Sequence, residues 1–337
     1  DCIKVLIPGS NGKSTGGSAP TLGIVGRLGG LGARPEMIGA VSDGDGAVAA
    51  LTAALKLVEM NENGDVLEGD VLVATHICPD APTLPHEPVP FMDSPIDMQT
   101  MNRMEVEERM DAIVSIDTTK GNRVINLNGI AISPTVMQGY ILSVSNDLMD
   151  VMTRVTGKMP EVFALSQQDI TPYGNDLYHL NSILQPATAT CAPVVGVAIA
   201  TEQMVAGCAT GATHGTDVEE AARFAVEVAK VYGPGTCKFF DEGQFAHLKD
   251  LYGDMTRFQG IGEAKEPQAA HRKPAGSSGG LFFCTSHDRS SRGGSMSQHT
   301  KIAGITVGQS PRTDMTCDLI PKLALNLELV EYGALDG

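Results

Sequence analysis

The 337-residue chain has no tryptophan, only 4% aromatic residues and only seven cysteines, and its composition excludes the fibrous and disulfide-rich classes. Basic residues are few, 24 Lys and Arg against 40 Asp and Glu, giving a formal net charge of -16. A duplex binder needs clustered Lys and Arg to neutralise phosphates, so nucleic acid is excluded as the expected partner. No apolar run reaches the ~18 residues of a membrane span, and no secretory signal is visible. The chain opens at Asp1 on an apolar stretch, which leads us to expect a missing upstream segment. The seven cysteines, at positions 2, 78, 191, 208, 237, 284 and 317, lack metal-knuckle spacing and are odd in number. They read as reduced thiols, consistent with a cytoplasmic protein.

What is present is glycine, 38 residues of it, and a 42% hydrophobic fraction sufficient for a sizeable core. Apolar runs at Ile3–Ile7, Asp70–Ile77, Ala112–Ile116 and Pro193–Ala200 read as strands. Helical patterns fall at Ala47–Met60, Met104–Asp111, Ser145–Gly157 and Ala221–Val231, the last behind the capping box Thr216-x-x-Glu219. Leu22–Leu31 is ambiguous, Met37–Val41 and Glu161–Leu165 read as strands, and Leu177–Leu184 as a helix. The alternation predicts a three-layer α/β/α domain over residues 1–258, with a mostly parallel sheet of the phosphorylase/hydrolase-like kind. Residues 259–300, rich in Gly and Ser, read as a low-complexity insertion or linker, and 301–337 as a C-terminal extension. The six prolines between Pro79 and Pro95 are expected to exclude a helix or an inner strand and suggest a rigid rim or a subunit contact.

In open α/β sheets ligands lie beyond the carboxyl ends of the strands. Asp43, Asp45, His76, Asp117 and His214 are expected at such ends, and mixed imidazole and carboxylate donors suit a divalent metal. Zinc is the first choice, with manganese or cobalt as alternatives. Asp80 or Glu87 would orient or deprotonate water, Glu105 being a further choice of base. Lys13 or Arg123 would hold a substrate carboxylate, and Asp169 and His179, around the polar run Gln167–Asp176, are reserve site residues. Asp at a helix start is equally often a cap, and a single His at a strand end is as often structural. The run Gly9-Ser10-Asn11-Gly12-Lys13-Ser14-Thr15 imitates a phosphate loop, but Ile7 stands where its first Gly belongs. Ser115, Thr118, Thr119 and Lys120 flank Asp117 without an orienting signature, and Cys78 beside His76 allows a thiol–imidazole pair.

The runs Ala19-Pro20-Thr21-Leu22-Gly23-Ile24, Ala74-Thr75-His76-Ile77-Cys78-Pro79, Ser115–Arg123 and Gln168–Asn175 resemble the bacterial and archaeal domain-of-unknown-function 1177 family over residues 1–258. That resemblance implies no activity. The order of elements is more distantly similar to the co-catalytic zinc aminopeptidases and deacylases, which implies metal roles for Asp43 or Asp45, Asp117 and His214. The Glu-Glu pair of that superfamily is replaced by His76, Cys78 and Asp80, and its early His has no counterpart in residues 1–42.

The expectation is a metal-dependent hydrolase acting on an amide bond of a small peptide-like or amino-acid-derived substrate, self-association being compatible with its Gly- and Ala-rich surfaces. The alternatives are a metal-independent small-metabolite isomerase, and a non-catalytic assembling or ligand-binding protein on the same fold.

Overall fold

A computed structural model describes residues 1–27, 33–34, 41–79, 81–85, 90–180, 182–207 and 212–262. The elements run β1 (Cys2–Ile7), β2 (Leu22–Gly26), β3 (Ala33–Arg34), α1 (Asp45–Glu62), β4 (Val71–His76), β5 (Ala81–Leu84), β6 (Phe91–Met92), α2 (Met98–Glu105) and β7 (Ala112–Thr119). They continue through β8 (Gly129–Ile132), β9 (Val136–Met137), β10 (Tyr140–Ile141), α3 (Asn146–Thr156), β11 (Val194–Ala200), α4 (Gly215–Tyr232) and α5 (Glu242–Tyr252).

The centre of the main sheet is parallel, β4-β2-β7-β11, because its strands are apolar on both faces and are covered on both. Antiparallel β1 closes one side beside β4, and β8 and β9 pair antiparallel with β11 at the other. A small sheet runs β3-β5-β6, so β5, which contains Pro82, is an inner strand; this corrects the exclusion of one from the Pro79–Pro95 stretch, the strand being only four residues long. Helices lie on both faces: α1 and α3 pack with α4, while α2 packs with β1, β4 and the turn Gln185–Thr188 on the opposite side. This is the expected α/β architecture with a mostly parallel sheet.

Glycine and alanine bring α1 close to the sheet. Ala49, Ala50, Ala53 and Ala54 are fully buried. A Cβ on Gly46 would stand 1.8 Å from the Arg27 carbonyl oxygen and 2.5 Å from that of Ile116. Both obstacles are backbone, so neither can rotate away. We expect Gly46→Ala to destabilise the fold by about 3 kcal/mol, the upper end of overpacking effects, measurable by urea unfolding.

Several expectations shift. The helix near residue 104 is displaced toward the amino end, to α2, where the Asp97 carboxylate accepts from Thr100 N–H and fixes the start. No helix forms over Leu177–Leu184, where Asp169 and Gln185 hold a loop, and Glu161–Leu165 makes only a bridge between Val162 and Ile132. The capping box fails: α4 begins at Gly215, one residue before the Thr216 expected to cap it. Of Met37–Val41, all but Val41 lies outside the described residues. Cys2, Cys78 and Cys237 are free thiols as expected. Cys191 is disulfide-bonded, which corrects the reading of uniformly reduced cysteines; scattered spacing carries no signal of which cysteines pair.

The Gly9–Thr15 loop is not a phosphate cradle. The Asp70 carboxylate accepts from Gly9 N–H at 2.9 Å, Ser14 N–H at 2.7 Å and the Ser14 hydroxyl at 2.7 Å. The protein's own anion thus takes the donors a phosphate would need. Lys13 pairs with Asp111 at 2.6 Å. Asp70 and Asp111 immediately precede β4 and β7, so this loop sits at the amino-terminal edge of the parallel sheet, opposite the strand ends where a ligand is expected.

Candidate active site

At the carboxyl ends of three neighbouring parallel strands stand His76, the last residue of β4, Arg27, the residue after β2, and Asp117, two residues before the end of β7. Side chains alternate across a strand, so Ser115, Asp117 and Thr119 of β7 share a face. That face carries α2, which contributes Asn102 and, at its last residue, Glu105. The Arg27 guanidinium is fully buried, its Nη1 donating to Glu105 Oε2 at 2.5 Å and Asn102 Oδ1 at 2.8 Å. The other carboxylate oxygen of Glu105 accepts from His76 Nδ1 at 2.5 Å. A charged side chain is tolerated in the core because paired charge and hydrogen bonds offset its desolvation.

Asp117 is equally buried. It accepts from the Ser182 hydroxyl and, at 2.7 Å, from Thr118 N–H. Burial pushes its carboxyl up to about 6, against the pull of Ser182, Arg27 and Thr118. Tyr173 lies in the same electrostatic neighbourhood. Its ring stacks on His179 at 4.3 Å between centroids, and its N–H donates to Gln185 Oε1.

A second carboxyl group joins from the turn Ser42–Gly44 and the start of α1, which the Thr118 hydroxyl ties to β7 by donating to the Ser42 carbonyl at 2.9 Å. Asp43 is pushed up to about 7 by burial and then by Asp117 and Asp45, with Lys120 opposing. Asp45 is raised by burial and steadied by Thr213, which donates to Oδ1 at 2.6 Å. Lys120, nearly buried, stands 3.7 Å from Asp45 Oδ2 and donates to the Ala212 carbonyl.

The sign of the linkage follows. A carboxyl raised in the folded state holds a proton that the unfolded chain releases near pH 4. Stability therefore falls as pH rises from about 4 to about 7 and is flat above. We expect Asp43→Asn to gain on wild type across that window, with no advantage below about pH 4, when unfolding is followed at each pH. A constant difference between the two would contradict the assignment.

The feature that most marks this edge as a site is its orphaned polar atoms. Buried side-chain atoms without a hydrogen-bond partner include Arg27 Nε, Asp45 Oδ2, Ser115 Oγ, Thr119 Oγ1 and Tyr173 Oη. Native cores leave few such groups; the set also includes Thr21 Oγ1 and Thr83 Oγ1, while Ser115 and Thr119 flank Asp117 on one face of β7 and Tyr173 lies in its electrostatic neighbourhood.

Of the expected residues, Asp43, Asp45 and Asp117 come into one electrostatic neighbourhood, and His76 is on the same sheet edge but bound to Glu105. His214 precedes α4, is 62% exposed, and pairs with Asp217 at 3.3 Å. Arg123 is exposed in the loop after β7, and Lys13 is at the opposite edge. Asp169 is buried but committed to its own loop, accepting from Ser166 and Leu180, and His179 Nε2 donates to the Thr171 carbonyl at 2.9 Å. Both help hold the loop that carries Tyr173. Asp80 and Glu87 lie outside the described residues. Cys78 packs against Val41, Ala81 and Met92 as a small apolar residue. Arg27, Asn102 and Ser182 went unrecognised from sequence; the one available signal was a charged residue directly after the all-buried run Leu22–Gly26.

A divalent metal, implied by the superfamily resemblance, was tested against these donors. Among the described residues, no group of three or more His, Cys, Asp or Glu could hold a metal ion. The acids are instead matched with the chain's own cations, Glu105 with Arg27 and Asp45 with Lys120. The described residues do not fit the metal.

Among solved structures, similarity extends to a Clostridium acetobutylicum protein assigned to the peptidases (8% identity, 68% of this chain and 44% of that one, TM-score 0.35). It also extends to the Bacillus subtilis YXEP protein, a dinuclear metal-binding peptidase of the M20 family (9% identity, 69% and 85%, TM-score 0.37). A third is N-formylglutamate amidohydrolase from Ralstonia eutropha (13% identity, 69% and 99%, TM-score 0.34). The chain thus spans less than half the length of the first of these. No curated protein matches it. A family model described as AroM protein matches residues 302–337. The model described as Protein of unknown function (DUF1177) matches residues 1–262, and the chain belongs to that family.

Proposed function

We propose that this chain is an enzyme that hydrolyses an amide bond in a small amino-acid-derived or peptide-like substrate by general acid–base catalysis at the carboxyl ends of β2, β4 and β7. The observation that carries the reading is Asp117, fully buried at a strand end among the unbonded hydroxyls of Ser115, Thr119 and Tyr173. A carboxyl near 6 is mostly ionised at neutral pH yet basic enough to take a proton from water. In the proposed cycle Asp117 accepts that proton as hydroxide adds to the carbonyl carbon, then returns it to the leaving nitrogen as the C–N bond breaks. The Tyr173 hydroxyl donates a hydrogen bond to the developing oxyanion. Arg27 and Glu105 hold the neighbouring strand end and His76 in place.

Zinc, manganese or cobalt is the cofactor expected from sequence; no step here is routed through one, because no group of three or more His, Cys, Asp or Glu among the described residues could hold it, Glu105 being paired with Arg27 and Asp45 with Lys120. The test is a screen of dipeptides, N-acyl amino acids and amino-acid amides with the full chain in H2(18)O. We expect cleavage with one labelled oxygen in the acid product. Deuterium uptake at the substrate α-carbon in D2O without cleavage would replace hydrolysis by isomerisation.

A further inference from the structure

The base of the proposed cycle is gripped by a side chain from outside the sheet. Asp117 and Ser182 are both buried. The Ser182 hydroxyl donates to Asp117 Oδ2, while Thr118 N–H donates to Oδ1 at 2.7 Å. Donors on both oxygens fix the plane of a carboxylate. One of them is the backbone of the next residue. The other arrives across 65 residues of chain, just before the turn Gln185–Thr188. Ser115 and Thr119 lie on the same face of β7, yet their hydroxyls have no hydrogen-bond partner. The donor from outside the sheet goes to the acid.

Ser182 is itself held. Its carbonyl accepts from Gln185 N–H at 3.0 Å. Gln185 is wholly buried; its Nε2 donates to the Thr171 carbonyl at 2.9 Å and its Oε1 accepts from Tyr173 N–H at 3.2 Å. One glutamine thus ties the donor on Asp117 to the loop that carries Tyr173, the proposed oxyanion donor.

The charged and titratable groups around Asp117 are Arg27 after β2, His76 at the end of β4, Asp43 in the turn before α1, and Tyr173. Glu105 on α2 is bonded to Arg27 and His76. Among the described residues, the hydrogen bonds that Asp117 accepts come from Ser182 and Thr118. A hydroxyl that donates to a carboxylate favours its charged form. Ser182 therefore opposes burial, which favours the protonated acid.

We propose that Ser182 is the positioning residue of Asp117: its hydroxyl sets the plane of the carboxylate and keeps it in the ionised form that accepts a proton. The inference rests on the reading of Asp117 as the general base.

The experiment compares Ser182→Ala with wild type by urea unfolding across pH, alone and in an Asp117→Asn background. Without the donor the folded carboxyl rises further above its unfolded value, so the variant goes on losing stability at pH values where wild type is already flat. Relative to wild type, the unfolding constant of Ser182→Ala should be about tenfold more affected at pH 8 than at pH 4, and the Asp117→Asn background should abolish that dependence. Ser182→Cys, a weaker donor of similar shape, should move the same way by less. A cost equal at every pH in both variants, or the same with and without the Asp117 carboxylate, would overturn the proposal. Kinetics use an amide cleaved in the screen of dipeptides, N-acyl amino acids and amino-acid amides. There the rising limb of kcat/KM should move up by about one pH unit in Ser182→Ala and meet wild type at high pH. An unshifted limb removes Ser182 and leaves Asp117 as the base. A pH-dependent unfolding cost in a chain that cleaves no amide supports the grip on Asp117 and removes the hydrolase.

Discussion

Replacing Glu105 by alanine costs the fold about 3–5 kcal/mol, the range for removing one partner of a buried ion pair. The Arg27 guanidinium is wholly enclosed, and Glu105 is the acid that bonds it. Without that acid the guanidinium keeps, among the described residues, Asn102 Oδ1 and two methionine sulfurs, those of Met98 and Met101, near its nitrogens. His76 loses its hydrogen bond to Glu105 in the same step. The cost is therefore mainly that of a stranded charge rather than of a missing contact. This distinguishes it from simple cavity formation: the double variant Arg27→Met with Glu105→Leu, which removes both charges, should recover most of the loss. Urea unfolding of the two single variants and the double variant reads this directly. Equal destabilisation in all three would show that packing, not charge, decides this region.

The second large effect is on turnover. Asp117→Asn keeps the shape of the side chain and an acceptor for the Ser182 hydroxyl or Thr118 N–H, but carries no proton at any working pH. Its kcat is expected to fall by about 10²–10⁴, the contribution of a positioned general base. KM should change little, since Asp117 is assigned to the moving proton and not to ground-state binding. Wild-type kcat/KM should rise with pH on the limb set by this carboxyl, near 6, and the variant should lack that limb. An Asp117→Asn enzyme with wild-type kcat and the same limb would remove Asp117 from the chemistry.

The sheet was readable in advance because its central strands are buried on both faces. Val194–Ala200, for instance, is apolar at every residue, and no periodic alternative competes with that. The strand-end rule also placed Asp43, Asp45, His76 and Asp117 at one edge of the sheet, where the structure has them. What it could not show was which of these acids already have a cation. Arg27 reaches Glu105 across 78 residues of chain, and Ser182 reaches Asp117 across 65. Such pairings depend on how α2 and the 182–188 segment pack, which no local pattern encodes. Lys13 shows the converse error. Its sequence setting imitates a ligand-binding loop, but the partner that fills the loop, Asp70, follows a long helix and lies 56 residues beyond Ser14. Local sequence can place a donor at a strand end without showing that the donor is already satisfied.

Elemental analysis of the purified full chain, paired with the amide-hydrolysis assay before and after chelation, bears most directly on the claim that this edge works through proton carriers balanced by Arg27 and Lys120. The account predicts well under one zinc, manganese or cobalt per chain and turnover unchanged by chelator. One or more tightly held metal ions per chain, lost together with activity in Asp117→Ala and His76→Ala, would contradict it.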